Sequence, residues 1–281
     1  MNRLKKGLRL LPQDDRDFKL GAFSSLPKLE ELPDELFLGE TELMDQGQSD
    51  YCTAFTASTL NELQEMQVFS PEWIFAVSKM LSGDIDAWGQ DLRTAMKVLV
   101  KHGALLRTLS PFSLENTSDQ VLRNIKSWEE TTFAQALPYR KKSYASVQSF
   151  GYSAFDAIRA TLYKYRVEKK AVAIGVEWKW SLGETYLKQN DNQGFGHAVP
   201  VIGYKGDYLT IKNSAGKNAG KGGYHYIHKD IINEMVPKYG AYTVTDLSPE
   251  EVKYLIENGI NAEDNWLVQL IKIILNFLHL R

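Results

Sequence analysis

MDQGQSDYCTAF, residues 44–55, contains the only cysteine of a 281-residue chain. Gly47 marks a turn. From Ala54 the apolar residues Ala54, Ala57, Leu60, Leu63 and Met66 recur at helical spacing with no Gly or Pro between them. Cys52 is therefore predicted at the first turn of a helix, where unpaired backbone N–H groups and the positive end of the helix dipole favour the nucleophilic thiolate. A lone cysteine buried as a small apolar side chain is the competing reading. The surrounding residues decide between them. Gln46, six residues upstream with Gly47 between, can fold back and bring an amide N–H beside the thiol.

Working outward, Ser70-Pro71 is a start signal for a second helix, and Leu92, Ala95, Met96, Leu99 and Val100 form a third that stops at Gly103. Beyond about residue 165 the pattern changes to short apolar runs separated by glycine turns. These are Ala171 to Val176, Ala198 to Tyr204, Tyr208 to Lys212, Tyr224 to Ile227 and Ala241 to Val244. Helices first and strands second predict an α+β protein of two lobes, with a cleft between them as the place for chemistry. Pro200 cannot donate to a ladder, so its strand is predicted to lie at an edge or to be bulged there.

Composition narrows the function classes. Lys and Arg number 33 against 35 Asp and Glu, for a net charge of −2, which gives no basis for a nucleic-acid partner. A single cysteine rules out an internal disulfide. Lys5, Lys6 and Arg9 interrupt any signal-peptide core, and no window approaches the roughly 20 apolar residues of a transmembrane helix. A cytoplasmic location is expected.

Two later motifs complete the set. Gly194-Phe195-Gly196-His197-Ala198-Val199 puts a histidine at the start of a strand beside a glycine, and Lys212-Asn213-Ser214-Ala215-Gly216 puts an asparagine at the end of the next. Adjacent antiparallel strands would hold the two side chains in contact. Asp45-Gln46-Gly47 with Cys52 and Ala54-Phe55, then Gly196-His197-Ala198-Val199, Lys212-Asn213-Ser214 with Gly216, and Gly222-Gly223-Tyr224, together resemble the papain-like cysteine peptidases of the C1 family. Ser70-Pro71, Gly89, Leu92-Arg93 and Ala95 are similar to its disulfide-free bacterial and archaeal members. The resemblance spans about residues 12 to 240. His197 follows Cys52 by 145 residues and Asn213 by 161, the second slightly beyond the usual ~130–150, which points to an insertion around Leu182 to Asn192.

The resemblance implies a papain-like two-lobe fold, with a helical N-terminal lobe, an antiparallel β-barrel-like C-terminal lobe and the site in the cleft between them. It implies Cys52 as nucleophile, His197 as general base, Asn213 as holder of the imidazole, and Gln46 with the Cys52 N–H as oxyanion hole. The reaction would be peptide-bond hydrolysis on a peptide or protein substrate, through an acyl-thioester and with no metal or organic cofactor. A weak or inactive peptide-binding module on the same fold, and an acyl transferase using the same thiol, are the alternatives. Departures from the family pattern carry expectations of their own. Asp50-Tyr51 precede the cysteine and Thr53 follows it, so a negative charge opposes thiolate formation. Ala215 stands where the family has a shielding Trp, which predicts a more exposed His197–Asn213 bond and slow or narrow activity.

His102 reads as a helix C-terminal residue, His225 and His228 as surface or packing residues, and Trp178 and Trp180 as packing side chains. Ser248-Pro249-Glu250-Glu251 is a capping box that starts a short helix ending near Gly259. In 264–281 a thin stripe of Asn265, Gln269, Lys272, Asn276 and His279 faces a broad apolar surface. Self-docking, oligomerisation, or a partner or membrane surface would each bury it. The expected organisation is an extended segment or short pro-region over 1–40, a peptidase domain over 41–245 and a helical appendage over 246–281. Any latency is assigned to the first ~40 residues or to that appendage.

Overall fold

The computed structural model describes residues 7–10, 14–110 and 130–258. In chain order the elements are α1 (Leu20–Phe23), β1 (Glu35–Phe37), α2 (Cys52–Glu65), α3 (Pro71–Ser82), α4 (Leu92–Lys101) and α5 (Glu130–Ala136). There follow β2 (Ser143–Ser146), α6 (Ala154–Lys164), β3 (Val172–Trp178), β4 (Tyr186–Leu187), β5 (Phe195–Lys205) and β6 (Tyr208–Lys212). β7 (Tyr224–His228), α7 (Lys229–Tyr239), β8 (Ala241–Thr245) and α8 (Pro249–Asn258) complete the described chain. The apolar tail at 264–281 lies outside the described residues. Among the described residues no helix is long and apolar enough to cross a membrane.

Local signals set the helix boundaries. Ser70 Oγ accepts from Trp73 N–H at 3.2 Å ahead of Pro71, and Asp91 Oδ1 accepts from Thr94 N–H at 2.7 Å. The capping box before α8 forms in both directions, Glu251 N–H to Ser248 Oγ and Ser248 N–H to Glu251 Oε2. α2 is buried on every side from Cys52 to Leu63 because it runs between α3 and α4 on one flank and β5 on the other. Two of its polar side chains reach across to other elements: Asn61 Nδ2 donates to Tyr139 O at 3.1 Å, and Glu62 meets Lys212 Nζ at 3.2 Å with both nearly inaccessible.

The strands form one sheet in the order β2-β8-β3-β5-β6-β7-β4, with β1 added on β5. The path is open, so the expected barrel-like lobe is an open sheet, antiparallel throughout except where β4 pairs parallel with β7. β5 is its centre. Pro200 sits opposite Ala173 of β3, which corrects the edge placement. The β5–β6 ladder stops at Val201 and shifts register between Val201 and Gly203, so no β6 residue needs the N–H that Pro200 lacks.

Candidate active site

Cys52 opens α2, and the N–H groups of Ala198, Thr53 and Cys52 itself face its sulfur. Those donors favour the thiolate, and the negative charge of Asp50 opposes it. Burial outweighs both and pushes the thiol up to about 12. His197 lies on β5 opposite Val176, is fully buried, and is pushed down to about 4, chiefly by that burial. Thiol and imidazole are thus both neutral near pH 7 in this arrangement, whereas the helix-terminus argument alone predicts an activated thiolate.

Asn213 immediately follows β6, one strand over from His197. His197 Nε2 meets Asn213 Oδ1 at 3.0 Å, and the same oxygen accepts from Ser214 N–H at 2.9 Å. His197 Nδ1 has no hydrogen-bond partner among the described residues. Gln46 is anchored through both ends of its amide. Its Nε2 donates to Ser49 O at 2.9 Å and its Oε1 accepts from Ser214 Oγ at 2.5 Å, which leaves one side-chain N–H uncommitted. Backbone bonds from Gln46 N to Ser214 O (2.8 Å) and from Gly216 N to Met44 O (3.2 Å) tie the Gln46 loop to the Asn213 loop. Residues from three distant stretches of sequence are therefore held as one unit.

The expected exposure of the His197–Asn213 bond does not occur. His197 is 0% and Asn213 1% exposed, because the indole of Trp178, at the end of β3, stands edge-on 5.3 Å from the His197 ring. Trp178 Nε1 donates to Trp180 O at 2.8 Å, which fixes the indole. Trp178 is thus a packing residue, as its sequence suggests, but the surface it packs on is the site itself.

His225 is the residue that sequence reasoning missed. It is fully buried, meets Asn213 Nδ2 through its Nε2 at 3.1 Å, and reaches Glu184 O through Nδ1 at 2.6 Å. The available signal was parity: in Tyr224–His228 only His225 and Ile227 point inward, and His225 pairs with Ile211, two residues before Asn213. His228 caps α7 and His102 ends α4, and neither joins the site.

The cleft is partly occupied by the chain itself. Leu8 N–H bonds Gly196 O at 3.2 Å, Arg9 N–H bonds Gln90 O at 3.0 Å, and Gln90 N–H bonds Gly7 O at 2.8 Å. This strap runs parallel to Gln90 between a wall on each lobe. Both walls are glycine: a Cβ on Gly89 would lie 2.3 Å from Gly7 O, and one on Gly196 would lie 2.5 Å from Leu8 O. Leu8 is buried, and the Arg9 guanidinium binds the Asp84 carboxylate and Gln90 Oε1. Lys79 Nζ, bonded to Gly89 O, and Asp50, which accepts from Gly89 N–H, hold that wall in place. A cleft of about 1000 Å³ stays open, bounded by Trp178, Trp180, Leu182, Phe195, Ala215 and Lys217.

The family model described as papain family cysteine protease matches residues 40–243. Xylellain, a cysteine protease from Xylella fastidiosa, superposes with a TM-score of 0.68 at 22% identity, covering 88% of this chain and 98% of that one. Digestive procathepsin L 3 of Tenebrio molitor larval midgut gives 0.62 at 18% identity over 87% of this chain and 76% of its own. Procathepsin B S9 from Trypanosoma congolense gives 0.59 at 15% identity over 85% and 86%. At these identities the likeness is one of fold. No curated protein sequence matches.

Proposed function

The chain belongs to the papain family of cysteine proteases, and we propose that it is a peptidase acting through Cys52, His197 and Asn213. The observation that carries this reading is the 3.0 Å pairing of His197 Nε2 with Asn213 Oδ1. It leaves Nδ1 unpartnered, one residue from the Ala198 N–H that faces the Cys52 sulfur. In the reaction the Cys52 proton passes to His197 Nδ1 and the sulfur attacks the scissile carbonyl carbon. The Cys52 N–H and the uncommitted Gln46 N–H receive the oxyanion. Collapse expels the amine, which takes the proton from Nδ1. Water then attacks the acyl-thioester, passing a proton to Nδ1; collapse releases the carboxylic acid and expels the Cys52 thiolate, which takes that proton back from Nδ1.

The strap makes the described form a latent one. Gly7–Arg9 lies between the two glycine walls that a substrate backbone would use, and Gly7, set against the Cys52 sulfur, adds to the burial that keeps the thiol protonated. The cover that Trp178 gives the His197–Asn213 bond removes the ground for weak activity that Ala215 supplied.

The test is hydrolysis of quenched-fluorescent peptides by the full chain, with Cys52→Ala and His197→Ala beside it. Turnover is expected in the parent, together with its loss on stoichiometric alkylation of Cys52 and in both variants. Turnover that survives Cys52→Ala, or its absence even after the strap has been displaced, overturns the reading.

A further inference from the structure

The hydrogen-bond chain continues past Asn213. Asn213 Nδ2 meets His225 Nε2 at 3.1 Å, and His225 Nδ1 meets the carbonyl oxygen of Glu184 at 2.6 Å. A carbonyl oxygen only accepts, so the His225 proton sits on Nδ1 and Nε2 of the neutral ring offers a lone pair. The Asn213 atom facing that lone pair is therefore the donor, Nδ2. The other end of the amide agrees, because Ser214 N–H can only donate and meets Oδ1. Oδ1 accepts, so the His197 nitrogen facing it carries a proton, and the lone pair of neutral His197 lies on Nδ1. A run of five groups, from Glu184 O through His225, Asn213 and Ser214 N–H to His197, thus has one consistent assignment of protons.

The imidazole of His225 is locked in place. Trp178 stands edge-on to it at 5.0 Å, and a Cβ on Gly220 would come within 2.9 Å of Nδ1. Glu184 belongs to the 181–190 segment. That segment is pinned to the sheet by Gly220 N–H on Leu182 O (2.7 Å), Tyr226 N–H on Thr185 O (2.8 Å) and Trp180 Nε1 on Lys188 O (2.8 Å).

We propose that His225 is a positioning residue: by accepting from Asn213 Nδ2 it fixes the amide with Oδ1 toward His197, and so sets the His197 tautomer that exposes a basic Nδ1. Its catalytic consequence rests on the peptidase reading above, while its effect on the tautomer does not. Burial keeps His225 neutral below the usual imidazole range. The titratable groups that act on it from packed elements are Glu184, whose carboxylate favours the charged ring, and His197, with which it repels when both are protonated. Protonation turns Nε2 into a donor facing the Nδ2 donor, and the Asn213 amide loses its fixed orientation.

The experiment is ring-nitrogen NMR of the ¹⁵N-histidine-labelled full chain, comparing the parent with His225→Gln and His225→Leu, alongside peptide hydrolysis. In the parent at pH 7, His225 is expected to carry hydrogen on Nδ1 and His197 on Nε2. The Gln variant, whose side-chain oxygen can accept at the Nε2 position, keeps the His197 tautomer and stays within about threefold of parental kcat. The Leu variant shows mixed His197 tautomers, with kcat about tenfold lower and KM unchanged. On acidification the parent loses the His197 tautomer as His225 titrates, and the Gln variant does not. A proton on His225 Nε2 in the parent overturns the proposal, and so does a His197 tautomer in the Leu variant identical to the parent's. If the Leu variant does not fold, the parental nitrogens and the acid titration of the Gln variant still decide. Expected tautomers without any hydrolysis would sink the peptidase reading and leave the positioning role standing, and hydrolysis without the tautomer response would do the reverse.

Discussion

Gly7→Ala tests whether the strap is the gate. A Cβ on Gly7 would lie 2.6 Å from Asp50 O and 2.8 Å from the Cys52 sulfur, and neither position can give way easily because both lie at the start of the buried helix α2. Burial of Leu8 contributes about 2 kcal/mol. Four backbone hydrogen bonds contribute about 1 kcal/mol each, and ordering the three residues costs about 1.5 kcal/mol each. The closed form is therefore favoured by only about 1–2 kcal/mol, and the overpacking cost of the added methyl, about 1–3 kcal/mol, is enough to open it. The assay is the rate of Cys52 alkylation by iodoacetamide against pH. In the closed parent a thiol near 12 and an imidazole near 4 keep both groups neutral between those limits, so alkylation near pH 6–7 is slow. Removing the cover lowers the thiol pKa. The reactive thiolate then appears at lower pH, and the rate near pH 6–7 rises about five- to thirtyfold, the most that relieving ~1–2 kcal/mol of closure allows. An alkylation profile in Gly7→Ala superimposable on the parent's would refute the gate, and with it the strap's part in raising the thiol pKa.

Trp178→Ala should lower stability by about 3–5 kcal/mol through the cavity left in the core. It should also reduce kcat at least tenfold by letting water onto the His197–Asn213 bond, whereas Trp178→Phe keeps most of both; calorimetry and initial rates separate the two effects. Lys212→Met leaves the Glu62 carboxylate buried without its cation and should cost about 3–5 kcal/mol in urea unfolding, most of it recovered in the Lys212→Met, Glu62→Gln double variant. If the single and double variants unfold alike, the buried pair is not what Lys212 contributes.

Periodicity and cap chemistry made α2, α3, α4, α8 and the five main strands legible, because each is encoded within a few residues. β1, β2 and β4 were not. They are two to four residues long and exist only because a neighbouring strand offers an edge. The candidate site is legible where a side chain is one of a set of spaced motifs: His197 meets Asn213, Gln46 meets Ser214 beside it, and the Ala198 N–H faces the Cys52 sulfur. What escaped depends on register rather than on motif. Whether His225 faces the core or the solvent is fixed by its pairing with Ile211, and the ring that covers His197 comes from the far end of β3. The burial that silences the thiol was also illegible, since Gly7 and Cys52 meet only through the fold.

Three apparent irregularities of the sequence have one physical cause. The spacing from Cys52 to Asn213 is long, Ala215 stands where a shielding Trp is expected, and a histidine points inward on β7. The segment 181–190 carries β4 onto β7, and it supplies Lys188 O to hold Trp180, whose own carbonyl holds Trp178. Trp178 then covers His197 and His225 together, so a Trp after Ser214 has nothing left to shield. The same segment presents Glu184 O, and a side chain on β7 that bridges this oxygen to Asn213 must accept at one end and donate at the other. Neutral imidazole meets that demand with a rigid ring, and an aliphatic residue there would leave the buried Asn213 Nδ2 without this acceptor. Shortening 181–190 should therefore be tolerated only in a chain that also regains an aromatic residue at 215 and loses the histidine at 225.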